Sequence, residues 1–106
     1  MLEFIESPIF SKTVHDLLED DELARMQLLL SRNPESVDLV PGSGGCRKLR
    51  WGMHGGGKRG GVRTIYYSQT AQGRIWLLII YAKTTQASVP ARAILELRNK
   101  LVRASR

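Results

Sequence analysis

The first part of the chain changes from a strand-like to a helix-like hydrophobic pattern. Residues 2–6 alternate apolar and polar side chains, which predicts a short strand. Ser7 and Pro8 follow as an N-cap and a first-turn proline, so a helix is expected to begin there. Apolar residues then recur every three or four positions as far as Leu18, which predicts that one stripe of this helix is buried.

A second helix is predicted after a break at residues 19–21. Either Asp20 or Asp21 can cap it, and apolar residues again recur at helical spacing. The pair Asn33 and Pro34 ends this pattern, because asparagine tolerates left-handed backbone and the proline ring cannot continue a helix. The acidic part of the chain is therefore expected to contain one strand and a helical hairpin.

After a glycine-rich loop the pattern becomes strand-like three times and then helical once. Strands are predicted at 46–51, 61–67 and 74–83, and an amphipathic helix at 90–103. The last strand is apolar on both faces, so it is expected near the sheet centre. We expect residues 1–106 to form one α+β domain: a small antiparallel sheet with two N-terminal helices and a C-terminal helix, all set against one face.

The composition is that of a globular protein of a reducing compartment. Hydrophobic residues make up 42% and charged residues 25% of the chain, which does not indicate disorder. The single cysteine, Cys46, cannot form an internal disulfide and lacks partners for a metal site, so neither a metal nor a cofactor is expected. No signal peptide is recognisable, which predicts a cytoplasmic protein. The longest apolar run, 75–82, is too short to span a membrane.

The charge is divided between the two parts of the chain. Through Gly44 there are three basic and nine acidic residues, a net charge of −6, whereas from Gly45 onward thirteen basic residues and one acidic residue give +12. The overall charge of +6 therefore conceals a strongly basic half. Such a field attracts polyanions, which favours nucleic acid as the partner over a basic surface that is merely solvated.

The basic residues recur along the three predicted strands. Lys48 and Arg50 lie on the first, Arg63 on the second and Lys83 at the end of the third. Three tyrosines are interleaved with them: Tyr66, Tyr67 and Tyr81. Because neighbours on a strand point to opposite faces, one of the first two tyrosines is expected in the core. Cations for phosphates and aromatic rings for bases together favour recognition of single-stranded RNA.

A second glycine-rich stretch separates the first two of these strands. Residues 55–61 contain Lys58 and Arg59 but lack the spacing, and the Ser or Thr after lysine, of a nucleotide-binding P-loop. An NTPase is therefore excluded. We interpret the Lys-Arg pair as an arm that contacts a phosphate backbone, with an ordinary hairpin connection as the alternative.

The usual catalytic groups are scarce in this sequence. The histidines, His15 and His54, lie far apart, and Cys46 has no neighbouring base, so common hydrolase mechanisms are disfavoured. His54 lies in the basic loop and remains a candidate acid or base. RNA cleavage does not need a protein nucleophile, because the ribose 2′-hydroxyl of the substrate supplies one. Arginines and lysines can then contribute by stabilising charge on the transition state.

Three blocks carry a family resemblance: residues 44–51, residues 57–67 and residues 77–83, preceded by a matching segment at 4–10. In this order they resemble the RelE superfamily of bacterial toxins, and its HigB-like branch in particular, over nearly the whole chain. The resemblance implies a small α+β ribonuclease that cuts translated mRNA in the ribosomal A site. It also implies a cognate antitoxin as partner, contacts with the ribosome and its RNA, and operator DNA binding only through the toxin–antitoxin complex.

The resemblance also implies roles for individual residues. Arg63 and Lys83 are placed around the scissile phosphate, with Arg50 beside them and Tyr81 as a stacking or proton-transfer group. The resemblance places Lys48 and Arg59 beside these groups as well, and favours Lys48 as a ribosomal RNA contact. Four cations are assigned to RNA binding: Lys48, Lys58, Arg59 and Arg47. Arg50 and Arg63 can equally be structural cations or contacts to the RNA backbone. The C-terminal tail has no terminal tyrosine, so the resemblance does not fix the group that transfers protons.

Two other functional classes stay open at this point. The ParE toxins share the fold but inhibit DNA gyrase without cutting RNA, and the cations on three successive strands argue against that activity here. A non-catalytic RNA-binding or ribosome-binding module would need only the basic charge. Cleavage of RNA distinguishes the nuclease from both.

Overall fold

The computed structural model describes residues 2–52, 61–85 and 88–104. Their elements, in chain order, are strand β1 (Glu3–Glu6), helices α1 (Pro8–Leu17) and α2 (Asp20–Arg32), strands β2 (Cys46–Trp51), β3 (Val62–Gln69) and β4 (Arg74–Ala82), and helix α3 (Ala91–Ala104). A short 3-10 turn at Thr70–Gln72 joins β3 to β4. The predicted order of elements and the α+β class are confirmed. None of the helices in these ranges is long and apolar enough to cross a membrane.

The start of α1 is fixed to the sheet by its capping residue. The Ser7 hydroxyl accepts the backbone N–H of Phe10 at 3.0 Å and donates to the carbonyl of Leu78 at 2.6 Å. Pro8 occupies the first helical turn, where its missing N–H costs nothing. Phe10 and Val14 then lie fully buried, so the predicted apolar stripe of α1 faces the sheet.

The capping of α2 differs from the expectation. Glu19, rather than Asp20 or Asp21, is the N-cap residue, and its side chain makes no capping hydrogen bond. The two aspartates instead lie in the first helical turn, where negative charge is favoured by the helix dipole. The helix ends at Arg32 as predicted, but Asn33 has φ −139° and does not use the left-handed conformation.

The sheet has the strand order β1-β4-β3-β2. β2, β3 and β4 form an antiparallel meander, whereas β1 pairs in parallel with β4. The expectation of a wholly antiparallel sheet was therefore wrong for this one pair. The physical reason is that α1 and α2 connect β1 to β2, and a helical connection lets the next strand run in the same direction as the first. The two antiparallel pairings that follow, of β2 with β3 and of β3 with β4, then give β4 the direction of β1.

The helices cover both faces of the sheet, which corrects the prediction that all lie against one face. A first cluster joins Phe10 of α1 and Met26 of α2 to Leu77 of β4. A second cluster, on the opposite face, joins Ile94 of α3 to Trp76 and other strand residues. Because β4 is apolar on both faces, each face needs its own cover. We call these faces the hairpin face, under α1 and α2, and the α3 face.

A bulge in β4 changes which residues reach each face. Ile65 pairs with Ile79 and Tyr66 pairs with Leu77, so Leu78 is an extra residue in β4. Before the bulge, odd-numbered residues such as Leu77 join the hairpin cluster; after it, Tyr81 belongs to the α3 cluster. The bulge thereby brings Tyr81 to the α3 face of the sheet.

Candidate functional site

Three predicted site residues form one row across the sheet. Arg50 of β2 is the register partner of Arg63 of β3, and Arg63 is the partner of Tyr81 of β4. Side chains of directly opposed strand residues lie on the same face. The neighbours Val62 and Thr64 contribute to the hairpin face, so Arg63 points to the α3 face. We call these residues the Arg-Arg-Tyr row.

Two lysines extend the positive charge beyond this row. Lys48 lies two positions before Arg50 on β2 and so shares its face. Lys83 lies just after β4, two positions from Tyr81, and its backbone N–H donates to the carbonyl of Gly61 at 3.2 Å. Lys83 is exposed and Lys48 is half-buried. The predicted convergence of cations from three strands is thus present at one end of the sheet.

The row becomes more enclosed from its edge toward the sheet centre. Arg50 is exposed, whereas Arg63 is 8% and Tyr81 5% exposed. One guanidinium nitrogen of Arg63 donates to the carbonyl of Val62 at 3.3 Å. A guanidinium keeps its charge at every relevant pH, so the row combines a fixed, largely dehydrated cation with a second one open to solvent.

The Tyr81 hydroxyl is a buried polar group of the row. It has no hydrogen-bond partner among the described residues. Burial raises the pKa of this phenol, while the nearby charges of Arg63 and Arg50 act in the opposite direction. At neutral pH the group is therefore a protonated phenol that can donate a hydrogen bond beside two cations.

Helix α3 is fixed at the other end of β3. The Arg98 guanidinium stacks 4.2 Å from the centre of the Tyr67 ring and donates to the Tyr67 hydroxyl at 2.9 Å. Tyr67 lies four positions from Arg63 along β3, a rise of roughly 13 Å. Close packing at Gly44 holds the same region, since a Cβ there would lie 2.7 Å from Leu95. We call the contact between Arg98 and Tyr67 the Arg98 anchor, and the Arg-Arg-Tyr row lies away from it along the sheet.

Of the other predicted site residues, Arg47 does not belong to the row. Arg47 lies on the hairpin face, where its guanidinium donates to the carbonyls of Val37 at 2.6 Å and Glu35 at 3.2 Å. Lys58 and Arg59 lie outside the described residues. Of the tyrosines, Tyr66 is fully buried on the hairpin face, which confirms that one of the adjacent pair belongs to the core.

The sequence reasoning missed one buried charged residue, Glu22 of α2. It is 7% exposed and accepts the indole N–H of Trp51 at 3.0 Å. A signal was available, because Glu22, Met26 and Leu30 follow one another at intervals of four and so lie on one helical stripe. A carboxylate on the buried stripe of a helix indicates a specific polar partner.

Metal binding finds no support among the described residues. No group of three or more His, Cys, Asp or Glu side chains is placed there to hold an ion. His15 is exposed in the last turn of α1 and lies 3.5 Å from a carboxylate oxygen of Asp20. Cys46 is fully buried, and burial raises the pKa of its thiol to about 11. Among the described residues, the row offers fixed positive charge and a phenolic donor, while the candidate acid or base His54 lies outside these residues.

No family model matches the sequence. Among solved structures, the fold is similar to that of the toxin RelE from E. coli, in a double arginine-to-alanine mutant in the free state. The TM-score is 0.60 at 12% sequence identity, and the match covers 92% of this chain and 96% of that chain. The chain therefore has a RelE-like fold.

Proposed function

We propose that this protein is the toxin of a type II toxin–antitoxin pair, of the HigB-like branch, and that it cuts translated mRNA in the ribosomal A site. The observation that supports this most is the Arg-Arg-Tyr row on a RelE-like fold. Two cations and a phenolic donor in one line match the needs of phosphodiester cleavage, in which charge builds up on the phosphoryl oxygens.

In the proposed reaction the ribose 2′-oxygen attacks the adjacent phosphorus. A bond forms between these two atoms while the bond from phosphorus to the 5′-oxygen of the next nucleotide breaks. The 2′-hydroxyl gives up its proton to solvent and the departing oxygen gains one. The products are a 2′,3′-cyclic phosphate and a 5′-hydroxyl end, so the substrate itself supplies the nucleophile.

Each residue of the row has a proposed part in this reaction. Arg63 and Arg50 bind the phosphoryl oxygens and stabilise their growing charge, with Lys83 as a third cation. Tyr81, held as a neutral phenol by burial, donates its proton toward the departing 5′-oxygen. Loss of one such charge-stabilising group typically costs about 100- to 1000-fold in rate.

Binding of RNA is assigned to four further cations: Lys48, Lys58, Arg59 and Arg47. Lys48 lies on the same face as the row and is proposed to contact ribosomal RNA. Lys58 and Arg59 are proposed as phosphate contacts on the charge pattern alone. Arg47 is proposed as an RNA contact on the same basis, although its guanidinium also supports the segment before β2.

The proposed partners follow from the same function. A cognate antitoxin would hold the toxin inactive, and the pair would bind operator DNA only as a complex. The ribosome and its mRNA would be the cytoplasmic target. The basic half of the chain, with a net charge of +12 from Gly45 onward, supplies the attraction for ribosomal RNA.

Primer extension on a defined mRNA in a purified translation system tests this proposal. We would compare the wild type with Arg63→Gln, which removes the charge of the buried guanidinium. The matched control is Arg92→Gln, because Arg92 is an arginine of α3 with 89% of its side chain exposed. We expect ribosome-dependent cuts within A-site codons, weakened about 100-fold or more in Arg63→Gln and unchanged in the control.

Two results would redirect the proposal. An intact message together with inhibited supercoiling by purified DNA gyrase would favour the ParE-like activity. An intact message with salt-sensitive ribosome binding and no effect on gyrase would favour a non-catalytic binding module. Equal cleavage by Arg63→Gln and the wild type would keep the nuclease but remove Arg63 from its mechanism.

A further inference from the structure

The buried carboxylate of Glu22 links the acidic helical hairpin to the strand that carries Arg50. Glu22 lies in the first turn of α2, and its two carboxylate oxygens contact different side chains. One carboxylate oxygen accepts the indole N–H of Trp51 at 3.0 Å, and the other is paired with the Arg25 guanidinium. Glu22 and Trp51 are 29 positions apart in the chain, so their hydrogen bond is a tertiary contact.

Trp51 lies next to the row on both β2 and the paired strand β3. It is the last residue of β2, follows Arg50 directly, and pairs with Val62, the neighbour of Arg63. Its side chain lies on the hairpin face, while Arg50 points to the α3 face. The hydrogen bond to Glu22 therefore fixes the backbone beneath the row from the opposite side of the sheet.

This end of β2 is paired with another strand on one side only, through the register of Arg50 with Arg63 and of Trp51 with Val62. β2 is an edge strand of the sheet, and the next residue, Gly52, has no atom within 4 Å of the place where a Cβ would be. Arg50 itself is exposed. Strand ends of this kind fray easily unless a side chain holds them.

We propose that Glu22, acting through Trp51, is a positioning residue that holds Arg50 in register with Arg63 and Tyr81. The inference rests on the proposed nuclease function. A charge-assisted hydrogen bond to a buried carboxylate is directional, and Arg25 keeps that carboxylate paired. The row needs such precision, because displacement of a catalytic group by about 1 Å can cost roughly 100-fold in rate.

Three variants separate the hydrogen bond from its surroundings. Trp51→Phe removes the indole donor and keeps an aromatic ring in the core. Glu22→Ala removes the acceptor, whereas Glu22→Gln keeps an oxygen that can accept the indole N–H. The matched structural control is Tyr66→Phe, which deletes another hydrogen bond of the hairpin face, from the Tyr66 hydroxyl to the carbonyl of Pro34 at 2.7 Å.

We would measure kcat and KM for mRNA cleavage on ribosomes together with the melting temperature of each variant. The expected result is that Trp51→Phe and Glu22→Ala each lower kcat about 10- to 100-fold, with KM nearly unchanged because every cation is retained. Glu22→Gln is expected to restore most of the rate, and the double variant Glu22→Ala, Trp51→Phe to be no slower than either single one. Tyr66→Phe should lower the melting temperature as much as Trp51→Phe does, but it should not lower kcat.

Two outcomes would overturn the inference. One is that kcat in Trp51→Phe stays at the wild-type value, and the other is that Tyr66→Phe lowers kcat as much, which would mean general destabilisation. A second readout does not depend on cleavage: the NMR signals of the Arg50 and Arg63 guanidinium Nε–H groups should shift in Trp51→Phe and stay in place in Tyr66→Phe. If wild-type protein leaves mRNA intact, the nuclease proposal fails, and the NMR comparison alone decides whether Glu22 positions the row.

Discussion

The two faces of the sheet differ in the surroundings of their buried polar groups. On the hairpin face the Thr64 hydroxyl contacts the Met26 sulfur at 3.3 Å, Tyr66 donates to Pro34, and Trp51 donates to Glu22. On the α3 face the Tyr81 hydroxyl has no partner within the described ranges. The Ser68 hydroxyl, which strand alternation places on the hairpin face, also has no partner within these ranges, so what distinguishes Tyr81 is its place in a row with two arginines. A buried polar group without a partner costs free energy, so the Tyr81 hydroxyl is not expected to stabilise the fold.

The two faces also differ in the apolar side chains that the helices bury against them. The hairpin face buries large apolar side chains of two helices and three strands. The α3 face is covered by one helix with a single fully buried residue, Ile94, and the two arginines of the row lie at the end away from the Arg98 anchor. Apart from Glu22 and Trp51, substitutions on the hairpin face should therefore affect folding, and those in the row should affect cleavage.

The largest expected effect is on folding. Phe10→Ala removes a side chain that is 0% exposed on the hairpin face, and we expect it to lower the free energy of unfolding by about 3 to 5 kcal/mol. Leu97→Ala in the half-buried part of α3 should cost clearly less. Urea unfolding of both variants measures the difference, and equal losses would show that the two faces stabilise the protein alike.

The next largest effect is on the reaction. Tyr81→Phe deletes only the phenolic hydroxyl, so we expect cleavage to slow by about 100-fold from loss of a proton donor. Stability should stay the same or rise by about 1 kcal/mol, because a buried hydroxyl without a described partner is removed. A combined cleavage and thermal unfolding experiment checks both signs. Full activity in this variant would leave the row as a binding site for phosphate only.

A smaller effect is expected where α3 meets the glycine-rich loop. Gly44 and Gly42 have nearly equal φ values of +76° and +78°, so alanine pays the same left-handed cost of about 1 to 2 kcal/mol at either position. At Gly44 the new Cβ would also lie 2.7 Å from Leu95, whereas at Gly42 the nearest atom is 3.6 Å away. Gly44→Ala should therefore be the less stable variant by about 1 to 3 kcal/mol. Equal unfolding free energies would mean that α3 shifts freely at this contact.

The last effect is seen only in alkali, as a loss of stability. Burial raises the pKa of Cys46 from 9.0 to about 11 and that of Tyr66 from 10.0 to about 12. Because each folded-state pKa lies above the unfolded one, the stabilisation is complete below the unfolded value and is lost as pH rises toward the folded value. Each group should cost at most about 1.4 kcal/mol per pH unit within its window.

Chemical unfolding between pH 8 and about pH 12 measures this loss. Cys46→Ala, a substitution on the α3 face, should flatten the plot of unfolding free energy against pH between about pH 9 and 11. Tyr66→Phe, on the hairpin face, should flatten it between about pH 10 and 12. A wild-type curve that is flat to pH 11 would contradict the assignment to Cys46.

Local patterns in the sequence were sufficient for most elements. The strand predicted at 46–51 is present with those bounds, and the helix predicted at 90–103 is found at Ala91–Ala104. The alternation that places Lys48 and Arg50 together depends only on the two-residue period of a strand. The fold class could be predicted because hydrophobic periodicity and capping residues act over a few neighbouring positions.

The arrangement of the site could be predicted only in part. Cations on three consecutive strands indicated a common surface, but Arg47 was assigned to RNA binding without its contacts on the opposite face. Glu22 was missed because its partner Trp51 is remote in sequence. The parallel pairing of β1 with β4 and the placement of α3 also depend on contacts between distant segments.

The amino-acid sequence by itself determined which residues form helices and strands and which half of the chain is basic. Only the tertiary structure decided that Arg50, Arg63 and Tyr81 share one row. Without the extra residue Leu78, strict alternation along β4 would place Tyr81 on the hairpin face with Leu77. The bulge arises from how β4 pairs with β3, and strand pairing is a property of residues far apart in the chain, which local patterns do not encode.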